Sequence, residues 1–300
     1  MLQSKLRMFS STIIATINHP KLAAAISSVL DQQFTADDFE VIVVNDTGAP
    51  LPDSDWQNSP RVHTVITQKR ERSVARNTGA AIAQGAFLHF LDQDDVMLPG
   101  ALQAFWELSH TTDAVWLYGN YQSMDNDGNL LEEFRPDIQG DFFAACVAGE
   151  LIPLHASLVK TSAFLAAGGF DPTFTIAEDI DLERRIALQG NLAKTPATVA
   201  RIRVGRVGST GNWATFPAYE RSSQEKILSY PNVLSYLLKS SVSSPYYRGR
   251  LCRAYAASAV RNLSQKNVFI SASRSVSMIR LIGFHFLSSS FWRGLRRITG

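Results

Sequence analysis

Short apolar runs and helical repeats alternate along the first hundred residues. Ser11–Thr16 reads as a buried strand. Over residues 20–32, Leu22, Ile26, Val29 and Leu30 recur at helical spacing. Glu40–Asn45 predicts a second strand, stopped by Asp46-Thr47-Gly48, and Arg61–Ile66 a weaker third. Arg72–Gln84 reads as an Ala-rich helix closed by Gly85. Ala86–Leu91 predicts a fourth strand, ended by Asp92-Gln93-Asp94-Asp95, and Pro99 opens the next helix. Strands alternating with helices predict an α/β fold with a mostly parallel sheet flanked by helices on both faces.

The pattern changes after residue 113. Ala114–Met124 and Asn129–Phe134 flank Asp125-Asn126-Asp127-Gly128, a hairpin-type turn. Ala156–Lys160 is a further strand, followed by the loop Gly168-Gly169-Phe170-Asp171 and a short helix over Ile180–Gln189, stopped by Gly190. Residues 1–215 read as one catalytic domain, with 1–112 its nucleotide-binding half and 113–215 its acceptor half. Residues 216–300 read as a helical, basic, Ser-rich extension. There is no internal repeat, and no Gly-rich phosphate loop of the Rossmann or Walker type.

Charge sharpens that division. The net charge of the 300 residues is +2, but residues 221–300 hold 13 of the 29 Lys and Arg and one of the 27 Asp and Glu. Two distant cysteines, Cys146 and Cys252, make no disulfide framework or zinc spacing and suit a reducing cytoplasm. Lys5 and Arg7 are followed by strand-like sequence rather than a long apolar run, so no signal peptide is expected. No run of about 18 apolar residues is present to span a bilayer.

Candidate chemistry gathers at strand ends, where open parallel sheets bind ligands. Asp92 and Asp94 stand at i and i+2 in an extended segment and can converge on one point. Their oxygens suit a hard cation such as Mg²⁺ or Mn²⁺. The bland alternative is a soluble Asp-rich turn that caps a helix. A second cluster, Glu178-Asp179-Ile180-Asp181-Leu182-Glu183, begins near a short helix. Asp181 and Glu183 are accounted for by the helix dipole. Glu178 and Asp179, placed just outside that helix, read equally as caps or as a general base.

Together these segments resemble glycosyltransferase family 2, with the GT-A fold, over about residues 10–210. Ile13-Ile14-Ala15-Thr16-Ile17-Asn18-His19-Pro20 resembles the opening strand and turn. Val43-Val44-Asn45-Asp46-Thr47-Gly48 resembles the second strand and its Asp-Asp pair. Ala75-Arg76-Asn77-Thr78-Gly79 resembles the Ala-Arg-Asn-x-Gly helix, and Phe90-Leu91-Asp92-Gln93-Asp94-Asp95 the metal motif. Gly168-Gly169-Phe170-Asp171 and Glu178-Asp179-x-Asp181-Leu182 resemble the acceptor loop and base motif. The resemblance implies an inverting transfer from a nucleoside-diphosphate sugar, a UDP-sugar first among them, to a glycan or lipid-linked glycan. It implies Asp46 at the nucleobase, Asp92 at the ribose or metal, Asp94 as main metal ligand, and Asp179 as base with Glu178 beside it. Ala15, Ile17 and Arg76 would join the nucleotide side, Arg76 in a structural or indirect role.

Three positions depart from the pattern. Ile17 replaces an aromatic residue near the base, Asn45 replaces the first Asp of the pair, and Arg203 stands where a metal-binding His is frequent. Arg203 cannot ligate a cation but can clamp a diphosphate; a surface arginine is the equal alternative. Arg70 and Arg72 could approach a diphosphate or be solvated loop charges. His89 reads as a core histidine, His155 as a candidate for the acceptor side, and Trp213 as a lid or packing residue. Residues 246–300, basic and aromatic, suit either peripheral contact with the inner face of a cell membrane or packing on the catalytic domain or another subunit. No nucleic-acid motif accompanies the charge. A metal-dependent nucleotidyltransferase, or an inactive glycan- or membrane-binding scaffold of the same fold, are the other functional classes. No Gln-x-x-Arg-Trp motif is present, so transfer of one or a few sugars is expected rather than polymer extrusion.

Overall fold

The computed structural model describes residues 8–68, 71–204, 215–240 and 244–296. Arg70 and Trp213 lie outside the described residues.

The central strand β1 (Met8–Thr16) pairs in parallel with β2 (Phe39–Asn45) on one side and β4 (Gly85–Phe90) on the other. Strand β3 (Val62–Ile66) lies parallel outside β2. Beyond β4 the sheet becomes mixed. β8 (Ser157–Lys160) runs antiparallel to β4, and β6 (Trp116–Met124) antiparallel to β8. β9 (Leu192–Arg203) is parallel to β6, and the two-residue β5 (Val96–Met97) is antiparallel to β9. β7 (Leu130–Phe134) returns on β6 through the Asp125–Gly128 turn. The order is β3-β2-β1-β4-β8-β6-β9-β5, with β7 beside β6.

Period-two alternation feeds two apolar cores, one on each face. Ile13, Ile42 and Val44 enter one; Ile14, Val41 and Val43 enter the other. Helices α1 (Leu22–Leu30) and α3 (Ala101–Ser109) pack into the second core, and α2 (Arg72–Ile82) into the first. Gly79 is what lets α2 lie so close: a Cβ there would meet the Ile13 and Val44 side chains at 2.6 and 3.0 Å. Helix α3 begins two residues after Pro99, because Gly100 takes a left-handed conformation with φ 80°.

Register decides where the site forms. Thr16 pairs with Asn45 and Asn45 with Ile66, while Ile13 pairs with Phe90. The loops that follow β1, β2 and β4 therefore leave from one edge of the sheet, carrying Ile17, Asp46 and Asp92.

The short α4 (Phe143–Val147), α5 (Thr161–Ala166) and α6 (Glu178–Ile186) complete the face of the first core. Among the described residues five helices follow: α7 (Phe216–Leu228), α8 (Val233–Lys239), α9 (Pro245–Ser264), α10 (Val268–Ile282) and α11 (Ser289–Leu295). Ile227, Leu237, Leu251, Tyr255, Leu281 and Phe291 extend the same core. Lys226 fastens α7 to the sheet domain through Asp171 at 2.7 Å and Asp181 at 3.0 Å. Glu225 fastens the helices to one another, accepting from Ser258, Asn262, Arg261 and Arg274. None of the described helices is long and apolar enough to cross a membrane.

Helices α9 and α11 cross at a pair of glycines. A methyl group on Gly249 would strike the Phe291 carbonyl oxygen and the Leu295 amide. Backbone atoms cannot swing aside as a flexible side chain can. Gly249→Ala should therefore lower stability by about 1–3 kcal/mol in urea unfolding. Alanine would otherwise be the better helix former by about 1 kcal/mol. The exposed α10 change Ser273→Ala should stay within about 0.5 kcal/mol. A more stable Gly249→Ala protein would mean that the close crossing is wrong.

Candidate active site

The acidic loop after β4 is tied down on both sides. Gln93 Oε1 accepts from Thr16 Oγ1 at 2.7 Å and from the Ile17 amide at 3.1 Å. Asp95 is buried, and its Oδ1 accepts from the Arg203 amide at 2.6 Å. The Arg203 guanidinium donates to the carbonyls of Asp94, at 3.1 Å, and Asp125. Arg203 thus braces the loop against β9 and the β6–β7 turn.

Arg76 joins this loop to the second acidic cluster. It is buried on α2, with Nη2 2.6 Å from Asp92 Oδ1 and Nη1 2.9 Å from Glu178 Oε1. Arg72 reaches the same Glu178 oxygen at 2.9 Å. The next residue, Asn77, clasps the Phe170 backbone with both ends of its amide, at 2.8 and 2.9 Å. The Ala-Arg-Asn-x-Gly segment therefore has a physical reading. Arg76 bridges two acidic loops, Asn77 holds the Gly-Gly-Phe-Asp loop, and Gly79 seats the helix on the sheet. The bridge brings residues 92 and 178 to one buried guanidinium.

One expectation is corrected. Glu178 and Asp179 are the first residues of α6, not part of the loop before it, and the helix ends at Ile186. Ala177 turns into the helix with φ 61°. Acidic side chains are favourable beside the free amides of a first turn, and Asp179 Oδ1 accepts from the Ile180 amide at 2.8 Å.

A cavity of about 270 Å³ opens over this helix, lined by Arg72, Tyr121, His155, Glu178, Asp179 and Glu183, among others. Burial raises the Asp179 carboxyl above its usual range, and the neighbouring Glu178 charge adds to this, with Arg76 opposing. Burial, then Asp179, pushes Glu183 well above its usual range. Glu183 has one bond to the protein among the described residues, from the Ile152 amide at 3.3 Å. It stands at i+4 from Asp179, on the same helix face.

His155 stands between two carboxylates, Nε2 3.4 Å from Asp92 and Nδ1 3.8 Å from Asp95. Burial would lower its pKa, but these neighbours raise it to about 9. Burial would raise Asp92, but His155 and Arg76 hold it well below the usual carboxylate range. Asp95 is driven upward, chiefly by burial. His89 is a satisfied core histidine. Its Nδ1 faces Thr12 Oγ1 at 3.3 Å, and its Nε2 donates to the His155 carbonyl at 2.9 Å, which anchors the His155 backbone.

Ligand atoms of Asp92, Asp95 and His155 lie within 4.8 Å of one another. Two carboxylates and an imidazole fit a divalent transition cation such as Mn²⁺. Asp94, the main ligand expected from sequence, is outside this trio. It is half-buried beside it, with its carbonyl engaged by Arg203. Asp46 is buried and accepts from Thr67 Oγ1 at 2.6 Å and the Glu71 amide at 2.8 Å. Ala15 is half-buried at the end of β1, and Ile17 is 63% exposed beyond it.

Residues 11–142 match the family model for glycosyl transferase family 2. An uncharacterized glycosyltransferase of Methanocaldococcus jannaschii is 28% identical over 57% of this chain and 62% of its own length. The GalNAc(5)-diNAcBac-PP-undecaprenol beta-1,3-glucosyltransferase of Campylobacter jejuni is 33% identical over 41% of each chain. The chain thus spans less than two thirds of either relative. Among solved structures, Staphylococcus aureus TarS 1–349 in complex with UDP-GlcNAc superposes with a TM-score of 0.63. It covers 91% of this chain and 92% of that one at 15% identity, and carries the likeness in fold. Residues 11–142 are accordingly a glycosyl transferase family 2 domain, and the architecture around them is the GT-A fold.

Proposed function

We propose that the chain is an inverting glycosyltransferase that moves a sugar from a UDP-sugar to a hydroxyl of a glycan or lipid-linked glycan. One observation supports this reading most: Arg76 joins the acidic loop at 92 to the acidic helix start at 178, beside the cavity that Glu178 and Asp179 line. A nucleotidyltransferase would have no work for the second of these. The likeness to TarS, which was solved with UDP-GlcNAc, supports the donor class. The C. jejuni relative, whose name describes an undecaprenol-linked glycan, supports the acceptor class.

In this reading the nucleotide lies over residues 1–112 and the acceptor over 113–215. Asp46, with Ala15 and Ile17, shapes the nucleobase side. Asp92, Asp95 and His155, with Asp94 beside them, would hold Mg²⁺ or Mn²⁺, which would supply positive charge against the departing diphosphate. Arg203 steadies that loop; clamping a diphosphate as well would require it to release the carbonyls of Asp94 and Asp125.

Asp179 is the better base of the acidic pair. Glu178 Oε1 is held by two arginines, whereas Asp179 borders the cavity with a raised pKa. A raised pKa makes the carboxylate form a stronger proton acceptor. The acceptor oxygen bonds to the anomeric carbon as the bond from that carbon to the diphosphate oxygen breaks. The electron pair leaves with UDP, and the hydroxyl proton passes to Asp179. A single displacement of this kind inverts the anomeric centre and needs no carboxylate nucleophile.

Asp179→Asn should cut transfer by about 10²–10⁴-fold while leaving Mn²⁺–UDP binding intact by calorimetry. Asp94→Asn should instead weaken that binding, and EDTA should stop turnover until Mn²⁺ is restored. Wild-type turnover in Asp179→Asn would remove the base from this scheme. Arg76→Met should cost about 3 kcal/mol of stability, the lower end for a broken buried pair because Arg72 still reaches Glu178. Adding Glu178→Met should recover part of that loss; strictly additive effects of the two changes would show that Arg76 and Glu178 are not coupled.

A further inference from the structure

Helix α10 turns Ser271, Arg274 and Leu281 inward. Its other side carries Phe269, Val276 and Ile279, which share one stripe at i, i+7 and i+10. The turn after the helix adds Phe284 and Leu287. Phe269 is 93% exposed, Phe284 87% and Leu287 76%. From Phe269 to Ile279 the stripe is about 15 Å long, on a helix of 15 residues. Apolar surface of this extent is uncommon on a soluble face without a partner.

The charges around it select the partner. Residues 226–300 contain twelve Lys and Arg and no Asp or Glu. Several of these cations serve the fold: Arg250 pairs with Glu150, and Arg261 and Arg274 with Glu225. Lys266, Arg280 and Arg293 are exposed. Lys266 precedes the start of α10, Arg280 follows Ile279, and Arg293 follows the exposed Trp292. A second copy docked symmetrically on this face would set cations against cations, with no carboxylate from the region to meet them. An anionic lipid surface meets both demands, because its headgroups attract the cations and its acyl boundary takes up the aromatic and aliphatic side chains.

We propose that α10 and the turn after it lie in the interface of an anionic lipid bilayer, with Phe269, Ile279, Phe284 and Leu287 inserted and Lys266, Arg280 and Arg293 at the headgroups. The proposal is independent of the catalytic reading. A chain with no transferase activity would still bind by this face, and an active enzyme could lack it.

The test is flotation of the full chain with vesicles of phosphatidylcholine plus phosphatidylglycerol, and with vesicles of phosphatidylcholine alone. The wild-type chain should float with the mixed vesicles, bind about tenfold less to the neutral ones, and be released as salt rises. The triple change Phe269→Ser, Phe284→Ser, Leu287→Ser alters only exposed positions and should keep the urea midpoint. It should weaken binding to mixed vesicles by about tenfold or more. Two results would overturn the proposal: a wild-type chain that stays unbound at low salt, or a triple variant that partitions as the wild type does. Light scattering that finds a dimer dissolved by the same three changes would assign the face to a second copy and overturn it as well.

Discussion

A single buried guanidinium holds the two halves of the site together. Arg76 takes Asp92 on one side and Glu178 on the other, so segments far apart in the chain share one cation. Burying an arginine without partners is prohibitive, and burying Glu178 without a cation equally so. Each acidic segment is therefore held in place in part through the other, with Arg72 a second cation on Glu178. Burial would lower the Arg76 pKa, but Asp92 and Glu178 raise it, so it keeps its charge. The arrangement also depends on a plain packing fact, that Gly79 lets α2 sit against β1 and β2. Remove that closeness and the guanidinium no longer reaches both carboxylates.

The bridge divides labour within the adjacent pair Glu178 and Asp179. Glu178 is neutralised by Arg76 and Arg72 and acts as an anchor. Asp179 is left at the cavity wall, made more basic by burial and by the Glu178 charge. His155 stands between Asp92 and Asp95 and borders the same cavity as Asp179.

Much of this was legible from local pattern. Strands β1, β2 and β4 follow from apolar runs, and their acidic ends from the residues next in line. Arg76 and Asn77 could be singled out, but not what they touch, since Glu178 and Phe170 lie about a hundred positions away. Asp95 and Glu183 carry no local signal of a role, and His155 suggests only the acceptor side, for a related reason. His155 approaches Asp92 because β8 pairs with β4, and sheet order is a long-range property that no local periodicity encodes. Glu183 could have been found once the helix was known to begin at Glu178, since it is then one turn from Asp179. That start was placed two residues late because a left-handed alanine at its N-cap carries no sequence signal. The role of Arg203 was likewise out of reach, because its partners are backbone carbonyls contributed by two other loops.

The most direct measurement is a crystal grown with UDP and Mn²⁺, with anomalous scattering recorded at the manganese edge. The account predicts one anomalous peak within coordinating distance of the 92–95 loop, beside His155. It also predicts the UDP diphosphate between that peak and Asp179, with the Arg76 bridge intact. A manganese peak away from this loop, or a diphosphate on the far side of the sheet from Asp179, would contradict it.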